Sequence, residues 1–268
     1  MRTLSWTSLV FLATVLPAPG YGQVAEGDTV TVMSAALQLR GLLWRPESAQ
    51  PLPAVLFLHG GGCADMDGQH AVGPRFASRG YVFLWLYRRG AGASRGEGEC
   101  AFQQISRVRA EQGADAALRL HVQLMTTSEL DDAMAGIAAL RATAGVDPAR
   151  IIVAGHSNGG QLAILAAERD RTIRAALNFS GAAALWSQSA DLQALLLGAL
   201  AGLQSPIFLG YARDDSAEAG EALGAELSRL GKVHELKIYL TGGHNFVFSA
   251  THPADTDVFR FLSTYAQR

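Results

Sequence analysis

The sequence predicts an α/β fold with a mostly parallel central sheet. Short apolar runs rich in Val, Ile and Leu alternate with longer segments whose apolar residues recur at helical spacing. Continuous apolar runs are typical of strands buried on both faces, as in a parallel sheet that helices cover. The chain has 268 residues, of which 49% are hydrophobic and 17% charged, which suits one large globular domain.

The order of the elements supports this architecture. Residues 29–35 and 37–44 read as two strands joined by a tight turn, which predicts an antiparallel edge at the N-terminal side of the sheet. Beyond them, strands alternate with helices, which predicts helices on both faces. The later predicted strands are residues 54–58, 81–87, 151–154, 173–179, 206–211 and 234–240. Residues 102–143 are predicted to be mainly helical, and the later predicted helices are residues 158–169, 191–202, 217–230 and 254–266.

The N-terminus has the pattern of an export signal. Arg2 gives a positive start, a short apolar core follows, and residues 17–22 offer small residues for cleavage near 20–23. The apolar core is too short to span a bilayer comfortably. We therefore expect residues 1–22 to be a signal peptide and residues 23–268 to be a single domain. The mature protein is expected to be secreted or periplasmic and free of the membrane.

Charge and cysteine content narrow the function classes. The formal net charge is −2 and no basic block occurs, so we expect no nucleic-acid partner. The sequence shows no Cys/His cluster with metal-ligand spacing, and we expect neither a metal nor a cofactor. Cys63 and Cys100 both follow predicted strand ends, and an exported chain permits one disulfide between them. Two partly buried free thiols are the alternative.

The segment at residues 151–160 is the most informative motif. It reads Ile-Ile-Val-Ala-Gly-His-Ser-Asn-Gly-Gly, which predicts a strand, a Gly-x-Ser-x-Gly turn and a helix. The turn needs Gly155 and Gly159, because a Cβ at either position would collide with the neighbouring strand or helix. Ser157 is then held in a strained conformation, and the positive end of the helix faces any oxyanion that forms there. The pentapeptide alone is weak support, because the chain contains 29 glycines.

Candidate partners for the serine follow two later strands. A serine hydroxyl needs a histidine base, which a carboxylate usually orients. In an open parallel sheet such groups gather at the carboxyl ends of the strands. Asp214 and Asp215 follow the strand at residues 206–211, and His244 follows the strand at residues 234–240. The order Ser, Asp, His is the order found in α/β-hydrolases.

With these residues in place, the chain resembles an α/β-hydrolase of the dienelactone hydrolase-like or prolyl oligopeptidase-like branch. The resemblance covers nearly all of the expected mature chain. It departs from dienelactone hydrolases proper, which use a cysteine nucleophile, so their substrate does not carry over. In chain order, the motifs that carry the resemblance are His59-Gly60-Gly61-Gly62, residues 87–94, residues 146–151, residues 155–160, Asp214-Asp215 and residues 243–246.

The resemblance implies a catalytic triad. Ser157 attacks an acyl carbonyl, and His244 takes its proton and later protonates the leaving group. The second aspartate, Asp215, aligns best with the acid of the family and is favoured as the residue that orients the histidine. Asp214 is the alternative.

The resemblance also implies an oxyanion hole. Its donors are the backbone N–H of Asn158 and one N–H from Gly61 or Gly62. His156 is expected to pack under the serine turn, and His59 to organise its loop by hydrogen bonding. The other histidines show no partner pattern and are expected to be ordinary surface or core residues: His70, His121, His234 and His252.

We therefore expect a serine hydrolase that cleaves small carboxylic esters through an acyl-enzyme. No long insertion separates residues 173–179 from residues 206–211, where many lipases carry a lid, so we expect no large lid and short acyl groups. The Arg88-Arg89 pair is explained either by an acidic substrate or by a structural role. A peptidase of the prolyl oligopeptidase type and a non-catalytic binding scaffold are the alternative functions. The sequence does not indicate the oligomeric state.

Overall fold

A computed structural model of the chain describes residues 26–64 and 68–266. The expected signal peptide and its cleavage point lie outside these residues. Within the described part, no helix is both long enough and apolar enough to cross a membrane.

The described residues form one sheet of eight strands. Its strands are β1 (Asp28–Ser34), β2 (Leu37–Trp44), β3 (Leu52–Leu58), β4 (Val82–Tyr87), β5 (Val146–His156), β6 (Ala175–Phe179), β7 (Ile207–Ala212) and β8 (His234–Tyr239). Their spatial order is β1-β2-β4-β3-β5-β6-β7-β8. The β1–β2 and β2–β4 pairs are antiparallel and the other neighbours are parallel. The predicted fold class, including its antiparallel N-terminal edge, is confirmed.

Helices cover both faces of this sheet. The α-helices of the described residues are α1 (Gly68–Ala77), α2 (Ala101–Gln112), α3 (Ala114–Thr126), α4 (Ser128–Ala142), α5 (Asn158–Arg169), α6 (Ala190–Gly202), α7 (Glu218–Arg229) and α8 (Ala254–Tyr265). One core layer joins the sheet to α4, α5, α6 and α7, and the other joins it to α1 and α8. Strand β3 shows why both layers form, because Leu56 lies in the first core and its neighbour Phe57 in the second.

The mainly helical segment predicted at residues 102–143 consists of three helices. Gly113 separates α2 from α3 with φ at 89°, a backbone conformation that favours glycine, and Thr127 separates α3 from α4. Helix α2 packs chiefly against α3, and Ala101 is its buried residue. The sequence predicted the helical content here but not this arrangement.

Candidate active site

The sharp turn between β5 and α5 places Ser157 at its apex. Its backbone has φ 56° and ψ −118°, which is unusual for a residue with a side chain. The Ser157 N–H donates to the carbonyl of Phe179 in β6 at 2.8 Å. Its own carbonyl accepts from Gly160 and Gln161 in the first turn of α5. These bonds hold a conformation that costs about 1–3 kcal/mol and that is typical of functional sites.

The glycines of the motif allow this turn. A Cβ on Gly155 would lie 2.0 Å from the carbonyl oxygen of Gly159, and a Cβ on Gly159 would lie 1.9 Å from that of Leu58. Both contacts are with backbone, which cannot move aside as a side chain could. The requirement for glycine at 155 and 159 is therefore confirmed.

The structure places the two aspartates after β7 in different roles. Oδ2 of Asp215 lies 2.7 Å from Nδ1 of His244. Asp214 instead accepts from the backbone N–H groups of Gly242 and Gly243, at 3.1 and 2.9 Å. Asp215 therefore contacts the imidazole, while Asp214 holds the loop that carries it.

His156 connects this imidazole to the serine turn. Its ring centroid lies 4.7 Å from that of His244, and its Nε2 lies 2.8 Å from the carbonyl oxygen of His244. Burial and the nearby His244 lower the pKa of His156 to about 4. A neutral ring with its proton on Nε2 can donate to that carbonyl, so His156 packs under the turn as expected.

Ser157 and His244 both adjoin His156. Among residues 26–64 and 68–266, no hydrogen bond joins the Ser157 hydroxyl to His244. They are linked through His156, which precedes Ser157 and contacts the His244 ring. In enzymes without bound substrate such hydrogen bonds are often long and tighten when the substrate binds.

The glycine loop after β3 lies against the serine turn. A Cβ on Gly60 would lie 3.5 Å from Cβ of Ser157, and a Cβ on Gly61 would lie 2.7 Å from Nδ2 of Asn158. The bare backbone of the loop can therefore approach the space beside Ser157 closely. Asn158 begins α5, so its N–H is one of the unpaired donors at that helix N-terminus.

A buried ion pair supports this loop from below. The Arg88 guanidinium donates through Nε to Glu129 at 2.6 Å, and both side chains are 3% exposed. It also donates to the carbonyls of His59 and Gly60, at 2.7 and 3.0 Å. These contacts fix the peptide that precedes Gly61, which carries a proposed oxyanion donor.

His59 has the organising role that was expected of it. Its Nδ1 lies 2.6 Å from the carbonyl oxygen of Gly60, and its Nε2 accepts from the backbone N–H of Arg88 at 3.2 Å. Burial and the charge of Arg88 hold the pKa of His59 well below its usual value.

Arg89, like Arg88, is bonded to a carboxylate, since its guanidinium donates to both carboxylate oxygens of Asp132. With both guanidinium groups bonded to carboxylates, the structure supports the structural explanation of this arginine pair.

A disulfide ties the glycine loop to α2. Cys63 and Cys100 are bonded, with their Cα atoms 5.9 Å apart. Cys63 closely follows the glycine loop, and Cys100 is the residue from which α2 starts. The start of α2 is therefore fixed next to the loop.

A cavity of about 460 Å³ opens beside Ser157. Its volume lies in the range of small-molecule sites. The glycine loop and the serine turn contribute Gly61, Gly62, Ser157 and Asn158. Helix α2 contributes Phe102, Ile105, Ser106 and Arg109. His121 of α3 and Leu185, which follows β6, also line the cavity.

The sequence did not indicate that α2 and α3 line this cavity; it indicated only that no large lid lies between the strands now labelled β6 and β7. Between them lie a short 3₁₀-helix and α6, which buries Leu192, Leu196 and Leu200 in the core. This segment therefore packs into the core. The helices that flank the serine come instead from the connection between β4 and α4.

His121 was expected to be an ordinary surface or core residue. It is buried, at 2% exposed, and it also lines the cavity with Ser157. The sequence signal for this burial was its position between Ala117 and Leu124 of α3, which are both buried and place His121 on the inward-facing side of the helix.

No group of three or more His, Cys, Asp or Glu residues in the described segments is arranged to hold a metal ion.

Comparisons with solved structures show the same fold. An acylaminoacyl peptidase from Pyrococcus horikoshii aligns with a TM-score of 0.69 and 18% identity, over 91% of this chain and 42% of the peptidase chain. A putative dienelactone hydrolase from Klebsiella pneumoniae aligns with a TM-score of 0.65 and 18% identity, over 90% of this chain and 98% of that one. A dienelactone hydrolase-like promiscuous phosphotriesterase from metagenomic libraries gives 0.65 and 18%, over 91% and 99%. The chain thus spans about two fifths of the peptidase it matches and nearly all of the other two.

Comparisons at the sequence level identify the family. A search of curated proteins finds no match. The family model described as "Dienelactone hydrolase family" matches residues 39–259, which is most of the chain and includes the serine turn and the loops after β7 and β8. The protein therefore belongs to the dienelactone hydrolase family.

Proposed function

We propose that this protein is a serine hydrolase that cleaves small carboxylic esters through an acyl-enzyme. The observation that carries the proposal is the contact of 2.7 Å between Asp215 and His244 beside the strained Ser157 turn. A histidine whose Nδ1–H is bound by a carboxylate presents Nε2 as the base, as a serine nucleophile requires.

The proposed reaction begins at the Ser157 hydroxyl. Its oxygen attacks the ester carbonyl while Nε2 of His244 takes the proton, and Asp215 stabilises the imidazolium that forms. His244 then gives the proton to the departing alcohol, which leaves an acyl group on Ser157. In the second half a water molecule attacks the acyl carbonyl while His244 takes its proton. The bond between the acyl group and Ser157 then breaks, the serine oxygen regains the proton from His244, and the acid is released.

The charge that develops on the carbonyl oxygen needs donors that are already in place. We assign this role to the N–H of Asn158 and one N–H from Gly61 or Gly62. The bonds from Arg88 to the preceding peptide support this assignment because they reduce the freedom of the glycine loop. Losing one such donor typically lowers the rate about 10²–10³-fold.

Substitution of Ser157 tests the proposal. Ser157→Ala should lower p-nitrophenyl acetate hydrolysis by about 10⁶-fold, because the nucleophile is lost. A fluorophosphonate probe should label the wild-type protein and leave the variant unlabelled. Ser263→Ala is the matched control, since Ser263 is an exposed residue of α8.

Three outcomes would contradict the proposal. Full activity in Ser157→Ala would show that another group performs the attack. Absence of labelling and of turnover in folded wild-type protein would favour the non-catalytic scaffold. Aminoacyl-β-naphthylamides in the same panel test the peptidase alternative, and preferential hydrolysis of these amides would replace the ester assignment.

We further propose that the protein is exported and that residues 1–22 are removed. The disulfide between Cys63 and Cys100 supports this proposal, because disulfides persist mainly in oxidising compartments. Intact mass and N-terminal sequencing of protein recovered from the medium or periplasm test it. A mature N-terminus at Met1 in the cytosolic fraction would contradict it.

A further inference from the structure

The cavity beside Ser157 contains a polar group that the proposed mechanism does not use. His121 projects from α3 and lines the cavity together with Ser157 and Asn158. Only 2% of this residue is exposed, so the imidazole is held in place by its surroundings. A fixed polar atom in a substrate cavity is the kind of group that determines specificity.

The hydrogen bonds around His121 determine which ring nitrogen carries the proton. Its Nε2 lies 2.9 Å from Oε1 of Gln161, and Nε2 of Gln161 faces Oδ1 of Asn158 at 3.5 Å. A carbonyl oxygen only accepts, so Nε2 of His121 is the donor. Burial lowers the pKa of His121, which keeps the ring neutral. Nδ1 of a neutral ring with this tautomer is a hydrogen-bond acceptor.

This Nδ1 atom is available to a ligand. It makes no hydrogen bond with residues 26–64 or 68–266, and it is not one of the fully buried polar atoms that lack a partner in these segments. Nδ1 is therefore accessible to solvent, and the solvent space that borders His121 is the cavity.

The cavity that His121 lines has both apolar and polar residues. Phe102, Ile105 and Leu185 are apolar, and Ser106 and Arg109 of α2 are polar. A substrate that fills this space displaces water from Nδ1, and an acceptor left without a donor carries a desolvation penalty. A substrate that brings its own donor avoids this penalty. A site of this kind rejects analogues that lack the donor.

We propose that His121 determines substrate specificity by accepting a hydrogen bond at Nδ1 from a hydroxyl group of the substrate. The preferred substrates are then esters that carry a hydroxyl near the ester bond. This inference rests on the proposed ester hydrolysis at Ser157 and specifies its substrate class.

Matched ester pairs test the inference. One pair is p-nitrophenyl 3-hydroxybutyrate and p-nitrophenyl butyrate, with the hydroxyl on the acyl side. The other is 2-hydroxyethyl butyrate and propyl butyrate, with the hydroxyl on the alcohol side. We expect wild-type kcat/KM to favour the hydroxylated member of at least one pair by about 10- to 100-fold.

Substitutions of His121 test whether this residue causes the preference for the hydroxylated ester. In His121→Phe the ratio within that pair should fall to near one, because the acceptor is lost while a ring of similar size remains. His121→Leu gives the same test if the Phe variant does not fold. His234→Phe is the matched control, since His234 lies at the start of β8, away from the strand ends that carry the site, and it should keep the wild-type ratio.

Each outcome is decisive. A wild-type enzyme that cleaves both members of both pairs equally overturns the role of His121 and leaves the proposed ester hydrolysis standing. A preference that survives in both His121 variants also overturns it. Wild-type protein that neither cleaves any ester nor reacts with a fluorophosphonate refutes the proposed function, and this inference with it.

Discussion

Glu129→Ala removes the carboxylate that faces the buried Arg88 guanidinium. The two side chains are 3% exposed and their closest atoms are 2.6 Å apart, so water cannot replace the lost partner. An ion left buried without its counter-ion costs about 3–5 kcal/mol. Because a domain is typically stable by only about 5–15 kcal/mol, this single change should remove a large part of the free energy of unfolding.

Chemical and thermal unfolding measure this loss. For a domain of this length each kcal/mol corresponds to roughly 2–4 °C, so the midpoint temperature should fall by about 6–20 °C. Glu226→Ala is the matched control. Glu226 pairs with Arg229 on the surface of α7, where solvent screens the charges, and its loss should leave the midpoint unchanged within error.

A double variant separates the effect of this ion pair on the stability of the fold from its effect on the position of the glycine loop. Arg88→Met with Glu129→Leu removes both charges and should recover part of the lost stability. It should still lower kcat/KM at least about tenfold, because the carbonyls of His59 and Gly60 lose the donors that orient the glycine loop. The reasoning would be refuted by a Glu129→Ala variant within about 1 kcal/mol of wild type, or by a double variant with wild-type kcat/KM.

Three further changes test other parts of the structure. Asp215→Asn should lower kcat about 10⁴-fold, because this carboxylate contacts the imidazole of His244. Asp214→Asn keeps an oxygen acceptor for the loop and should lower kcat less than about tenfold. Equal losses of kcat in the two variants would contradict their separate roles. Gly159→Ala should prevent soluble folding, while Gly198→Ala, in open space on α6, should raise the free energy of unfolding by up to about 1 kcal/mol in urea titrations. In the native state His156 stays neutral down to about pH 4. In the unfolded chain it takes up a proton near pH 6.5. Between these pH values the proton stabilises only the unfolded chain, so the free energy of unfolding decreases as pH falls from 6.5 to 4. His156→Gln should flatten that part of the stability profile by up to about 3 kcal/mol, and an unchanged slope would exclude this contribution.

The sequence predicted the sheet and its helices because their signals are local. Apolar runs such as β3 and β4 are buried on both faces, and the glycine requirement in the serine turn follows from the contacts that a Cβ would make. These features depend on neighbouring residues or on adjacent strands. They can therefore be inferred without knowing how distant segments pack.

The placement of α2 and α3 could not be predicted in the same way. Helix α2 is largely polar and exposed, so its sequence gives little indication of where it packs, and the disulfide at Cys100 fixes its start.

The choice between Asp214 and Asp215 depends on a turn of a few residues after β7, which the order of strands does not determine. His121 lies in a helical pattern that is equally typical of ordinary core residues, and its contact with Gln161 is visible only in three dimensions.

The attachment of α2 has a consequence for how this protein can be engineered. Phe102, Ile105 and Arg109 border the cavity, yet α2 contributes little to the core beyond Ala101. The α2 residues that line the cavity are therefore distinct from the α2 residue that packs into the core. A library randomised at these three positions should retain a high proportion of folded members. Helix α2 can then be exchanged as a unit, because the disulfide at Cys100 fixes its start and Gly113 ends it.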